Sequence, residues 1–173
     1  ALAANTTGAH NTAIGQGANQ TNTTASNNTS VGSAALNQNS TGASNTAVGK
    51  SALSANTTAS NNTAVGFEAL GANTTGHSNV AVGANALDAN TTGQYNTAVG
   101  IDAGGKITTG ANNTVFGSLA LDANTTGGSN TALGMHALGT STTASNNTAV
   151  GYQTLYVNTT GAENTAIGTN AVS

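Results

Sequence analysis

Asn45-Thr46-Ala47-Val48-Gly49, Asn62-Thr63-Ala64-Val65-Gly66 and Asn79-Val80-Ala81-Val82-Gly83 are one phrase, met each time seventeen residues further on. The spacing holds along the whole chain: Gly15, Gly32, Gly49, Gly66, Gly83, Gly100, Gly117, Gly134, Gly151 and Gly168 close ten copies without an insertion. So strict a period makes each copy one geometric unit stacked on its neighbours, because an inserted residue would break the register of the stack. β-Branched residues and Asn dominate, Gly recurs, and no helical period survives. The reading is an all-β parallel β-solenoid (a β-roll) of ten 17-residue coils, with residues 1–173 one repeat array and like residues above like.

Folded at seventeen, the sequence becomes a set of columns. Asn11, Asn28, Asn45, Asn62, Asn79, Asn96, Asn113, Asn130, Asn147 and Asn164 stand four before the glycine in every copy. Such amides can hydrogen-bond along the stack as a structural ladder. Thr follows, then Ala, then an apolar residue such as Ile14, Val48, Phe116 or Leu133. Strand side chains alternate, so the Thr and Val columns share one face and the Asn and Ala columns the other. The Val column is too apolar to leave wet, which places it inside the coil with its Thr companions and with the Ala18 column.

Beside the Ala18 column run Leu36, Leu53, Leu70, Leu87, Leu121, Leu138 and Leu155. Adjacent strand residues cannot both face one core unless the chain bends between them. The leucines are therefore expected to form an interchain stripe against a partner, the alternative being that they fill each coil's own core. A third block, Asn-Thr-Thr as at 56–58 and 73–75, is followed by Gly or Ala in every copy, and Gly8, Gly42 and Gly76 read as corners wanting positive φ. Its last Thr, from Thr7 to Thr160, is unbroken through ten copies.

Composition removes several function classes. Charged residues make up 4% of the chain, where an ordinary domain carries about a quarter, and proline, cysteine and tryptophan are absent. No disulfide framework or thiolate metal site can form. With a net charge of −3 and only Lys50 and Lys106 basic, there is no patch for phosphate backbones, so no nucleic-acid partner is expected. No apolar run approaches a membrane span.

The phrase Asn-Thr-Ala-Val-Gly-x-x-Ala resembles the head repeats of trimeric autotransporter adhesins, and related repeats of phage tail fibres. Those carry Asn-Ser-(Val/Ile)-Ala-Ile-Gly-x-x-Ala; Asn79-Val80-Ala81-Val82-Gly83-Ala84-Asn85-Ala86 is the nearest copy here. The resemblance implies a left-handed parallel β-roll, a homotrimer with chains side by side, an extracellular place on a virion or cell surface, and a host-surface or glycan receptor. Two departures stand out. The turn here is longer, and Thr occupies the family's Val/Ile position.

Catalytic, cofactor-binding and metal residues are expected to be none. His10, His77 and His136 fall in three different columns, whereas a stacked array would share one. Glu68, Asp88, Asp102, Asp122 and Glu163 read as too scattered for a carboxylate pair or a calcium cage. The many Asn-x-Thr triplets match a glycosylation acceptor, but read first as the ladder itself. Variation concentrates just after the glycine, as in Phe67-Glu68, Ile101-Asp102 and Tyr152-Gln153, which marks outward corners where a ligand surface would be written. One coil is irregular: Gly104 replaces Leu and Ile107 replaces Asn, with Phe116 one coil later. Compensated core drift is the expectation there. The opening Ala1-Leu2-Ala3-Ala4-Asn5 and closing Asn170-Ala171-Val172-Ser173 are in phase with the array and read as a window cut from a longer fibre.

These features predict an extracellular structural or adhesive fibre shaft. Two alternatives remain open: a homopolymeric filament stacked head to tail, and an ice-binding solenoid using the Thr column.

Overall fold

The structure, a computed structural model, describes residues 1–172. Ser173, which entered the phase comparison of the two ends, lies outside the described residues. Ten short strands follow one another: β1 (Thr12–Ile14), β2 (Thr29–Val31), β3 (Thr46–Val48), β4 (Thr63–Val65), β5 (Val80–Val82), β6 (Thr97–Val99), β7 (Thr114–Phe116), β8 (Thr131–Leu133), β9 (Thr148–Val150) and β10 (Thr165–Ile167). They form one parallel sheet in chain order, each residue paired with the one seventeen positions on, as Thr46 with Thr63 and Val48 with Val65. The result is a parallel β-solenoid of about nine turns, with no helix among the described residues.

Hydrogen bonds run between turns around the whole coil, well beyond the strands. Thr46 N–H donates to the Asn62 carbonyl at 2.8 Å, Leu53 N–H to that of Ala69 at 3.0 Å, and Thr57 N–H to that of Thr74 at 3.1 Å. Between these contacts the chain turns at left-handed residues; in one coil these are Gly49 (φ 138), Ser51 (φ 59), Leu53 (φ 51) and Asn61 (φ 63). A non-glycine residue there costs about 1–2 kcal/mol. At Leu53 that cost is offset by complete burial of the side chain, which contributes about 1.5–3 kcal/mol.

Four sequence expectations are corrected by this geometry. The strand faces are inverted: Asn45, Ala47, Asn62 and Ala64 are buried, while the Thr and Val columns face outward and Val65 is 36% exposed. A seventeen-residue turn with four tight corners encloses a narrow interior, which Ala, Asn and one Leu fill. Bulk at the Val column has room only outside.

The leucines are the second correction. Leu36, Leu53, Leu70, Leu87, Leu121 and Leu138 are fully buried within a single chain, and Leu155 nearly so. They line the coil's own core and form no interchain stripe. The bend that lets Ala52 and Leu53 both point inward is the left-handed conformation of Leu53 itself.

Third, Gly8, Gly42 and Gly76 do not have positive φ; the left-handed residues of that corner are His10, Ser44 and Ser78, two positions on. Fourth, Phe116 does not refill the irregular coil, since it is 43% exposed on the outer face. Ile107 does: a Cβ added at Gly104 would stand 2.9 Å from its Cδ1. The drift is compensated from inside, with Val115 buried in the Ala column.

Candidate functional site

Two Asn ladders form the polar half of the interior. In the first, Asn62 Nδ2 donates to the Gly76 carbonyl at 2.9 Å and its Oδ1 accepts from Asn79 N–H at 2.9 Å, a pattern that repeats along the stack. In the second, Asn73 Nδ2 donates to Asn56 Oδ1 at 3.1 Å and to that same Gly76 carbonyl at 2.9 Å. Both ladders close on one carbonyl per turn. Sequence reading found the first ladder but missed that the Asn of the Asn-Thr-Thr block is a second. The Thr after it makes a third ladder, its hydroxyl donating to the carbonyl one turn on, as Thr57 to Thr74 at 3.2 Å and Thr74 to Thr91 at 3.0 Å. The corner glycines hold the place expected of them, with φ between 121 and 140.

The ladder fails where its residues change. Ile107 offers no donor, so Asn90 Oδ1 is buried without a partner. Asn19, standing in the Leu column, is fully buried with both amide atoms unpartnered.

The outer face of the sheet carries two columns along its length, Thr or Val80 and then Ile, Val, Phe or Leu. Ile14, Val65, Val82, Phe116, Leu133 and Ile167 on this face are exposed, and no charged residue lies in either column. Around the glycine corner, Phe67, Ile101, Met135 and Tyr152 add further exposed apolar surface.

A second surface lies beyond that corner. Of the acids expected to be scattered, Glu68, Asp88, Asp102 and Asp122, though not Glu163, are brought to one side: Asp88 and Asp122 each place Oδ1 within 3.3 Å of where a Cβ on Gly105 would stand, with the Asp102 carbonyl at 3.4 Å. Their positions in the repeat are the signal that sequence could have supplied, since Glu68 and Asp102 share one column and Asp88 and Asp122 another. Burial first, then the charges of Asp102 and Asp122, push the Asp88 carboxyl above its ordinary range, with the Ala89 N–H opposing. Asn85 Nδ2 donates to Asp102 Oδ1 at 3.0 Å, and Lys106 Nζ lies 3.7 Å from Asp122 Oδ2. Among the described residues no three His, Asp or Glu side chains are placed to hold a metal ion. A cavity of about 300 Å³ opens beside this cluster, lined by Ser51, Ser54, Glu68, Gly71, Ala72 and Asp88.

The histidines stay apart. His77 meets Tyr95 edge to face at 5.0 Å between centroids, and His136 meets Tyr156 likewise at 5.9 Å. Comparison of the chain with models of known protein families, with curated proteins and with solved structures gave no match.

Proposed function

We propose that the chain is a non-catalytic shaft segment of an extracellular adhesive fibre, a virion tail fibre or a cell-surface adhesin, whose copies associate side by side as a trimer. The observation that carries this reading is the apolar column from Ile14 to Ile167. It is solvent-facing at every rung and continuous over ten strands. A monomer would leave this uncharged strip in water, and contiguous exposed apolar surface of that kind marks an association face. Identical rungs about 4.8 Å apart let neighbouring copies meet in register along their full length. The resemblance to trimeric adhesin repeats supports three copies.

Sedimentation tests the reading. Val65→Asp with Val82→Asp places charge on the outer face without touching the interior. The expected outcome is a folded, soluble monomer, because a carboxylate buried unpaired between chains is costly. Leu70→Asp with Leu87→Asp is expected instead to unfold the coil and release no soluble monomer. A native chain that sediments as a monomer overturns the proposed association.

A second reading, ice binding, is favoured by one observation. The Thr column from Thr7 to Thr160 is exposed at all ten positions. Its neighbour, Thr57 or Thr74, has its hydroxyl committed to the ladder, so a single row remains to meet a lattice. Thermal hysteresis of the purified protein tests it, and none at high concentration removes it.

A further inference from the structure

We propose that Asn27, Asn61, Asn112 and Asn146 are sites of N-linked glycosylation; this rests on the extracellular reading above, which brings the chain past a glycosylating enzyme. Each opens an Asn-Asn-Thr triplet that satisfies the acceptor pattern, and the fold divides all such triplets into two sets. In the Asn-Thr-Thr block the acceptor atom is already engaged. Asn22, Asn39, Asn56, Asn73, Asn90 and Asn124 are fully buried, and Asn56 Nδ2 donates to the Ala59 carbonyl at 3.0 Å and to Asn39 Oδ1 at 2.9 Å. Asn5 and Asn158 are partly exposed, but their Nδ2 atoms donate to the Gly8 and Gly161 carbonyls at 3.0 and 2.9 Å. Asn19 and Asn28, which also open such triplets, are fully buried. The four corner residues are the reverse. All are exposed, and their backbone N–H groups rather than their amides tie the corner to the neighbouring turn, as Asn61 N–H to the Ala43 carbonyl at 3.1 Å.

Backbone conformation does not require Asn at this corner. It is left-handed at the four Asn (φ 59 to 63), and equally so at Ser44, Ser78, Tyr95 and Ser129 (φ 57 to 58). The four stand two, three and two turns apart, never in adjacent turns. At about 4.8 Å per turn, attachment points lie about 10 Å or more apart, whereas single-turn spacing would crowd the sugars. The Thr of each triplet opens a strand on the outer face (Thr29, Thr63, Thr114 and Thr148), while the Asn between is held in the buried ladder. Both groups of the acceptor pattern therefore face solvent on a fixed backbone. The apolar column lies at the other edge of the strand, beside the glycine corner, so a sugar at Asn61 leaves Val65 free to meet a partner chain. The co-substrate is a sugar activated at its anomeric carbon as a phosphate ester, nucleotide-linked or lipid-linked. Asn Nδ2 attacks that carbon: the C1–N bond forms and the C1–O bond to phosphate breaks. The phosphate leaves with the electron pair, and one amide proton passes to a base of the transferring enzyme.

Treatment of the folded chain with a soluble N-glycosyltransferase and UDP-glucose, mapped by peptide mass spectrometry, tests the acceptor sites. Hexose is expected on the four corner Asn and on none of the ladder Asn. Thr63→Val copies the native Val80 one turn on and keeps Asn61, so melting is expected to be unchanged. Of the four sites, only Asn61 should then lose its hexose. Hexose on ladder Asn of the folded chain, or bare corner Asn, overturns the assignment. So does an Asn61 still modified in Thr63→Val, because the reaction is then indiscriminate glycation. The chain isolated from the cell or virion that carries it is expected to bear sugar at the same four Asn. Hexoses attached one at a time identify a nucleotide-linked donor, and a preassembled oligosaccharide a lipid-linked one. A native chain bare at all four overturns the modification and leaves the fibre reading to sedimentation. A native chain that carries the sugars yet sediments as a monomer upholds the sites while removing the trimer.

Discussion

Asn28 and Asn39 reach the same carbonyl, that of Gly42, at 2.9 Å each. A buried amide left unpaired costs about 1–3 kcal/mol, so an interior built of amides is stable because most turns repeat the same pairing. Asn19 shows what one exception costs. Its backbone is already that of the Leu column, φ 46 against 52 at Leu36, while its side chain finds no partner. Asn19→Leu is therefore expected to stabilise the fold by about 1–3 kcal/mol, read as a higher denaturation midpoint. No change in midpoint, or a lower one, would contradict the accounting. Asp88 gives the second prediction at this scale. Its folded carboxyl is raised above the ordinary value of 3.8, so between that value and the raised one the native state holds more protons than the unfolded chain. Stability must then fall as pH rises through that window. Asp88→Asn should be more stable than the native protein at neutral pH, with the advantage vanishing below about pH 4, the unperturbed aspartate range. Denaturation profiles at both pH values check the sign.

Each strand is only three residues long, and that brevity explains what sequence could and could not reveal about the elements. Period, register and corner glycines were legible because stacking forces each to recur. Which face pointed inward was not, because Val48 is more apolar than Ala47 and polarity alone puts Val inside. Cross-section decides otherwise: Ala47, Asn45 and Leu53 fill the coil, and Val48 has room only outside. The Leu column was ambiguous for a related reason, since a left-handed Leu is costly enough that a bend at Leu53 is not the first expectation. The acidic cluster was legible in the columns of the repeat, where Asp88 and Asp122 stand on either side of Gly105, and not in the linear spacing of the acids. The glycine corner is the part of the element that tolerates least. At Gly117, φ is 136, and an added Cβ would stand 2.6 Å from the Gly134 carbonyl carbon and 2.7 Å from its oxygen. Gly117→Ala is expected to cost at least about 1–3 kcal/mol, with amide exchange accelerating first around β7 and β8. Uniform exchange along the chain would show that the corner is not a local constraint.

The molecule as a whole is quasi-one-dimensional, since every strand meets only the one before and the one after. Its stability is then close to a sum of similar turns and similar interfaces, and the unit of change is the turn rather than the residue. Removing residues 67–83 joins Gly66 to Ala84 and leaves every column in phase, at the loss of one turn and one interface. Removing Ala72 alone takes away less material but leaves a turn one residue short. Asn73, which must reach both Asn56 and the Gly76 carbonyl, then sits out of line with the ladder on either side. The expectation runs against the count of residues lost. The seventeen-residue deletion should melt in one transition close to the native temperature. The single deletion should melt lower or in two steps, with protease cutting between β4 and β5. Circular dichroism melts and limited proteolysis of the two variants decide it. If the shorter deletion proves the milder one, the register of the stack is not what holds the solenoid together.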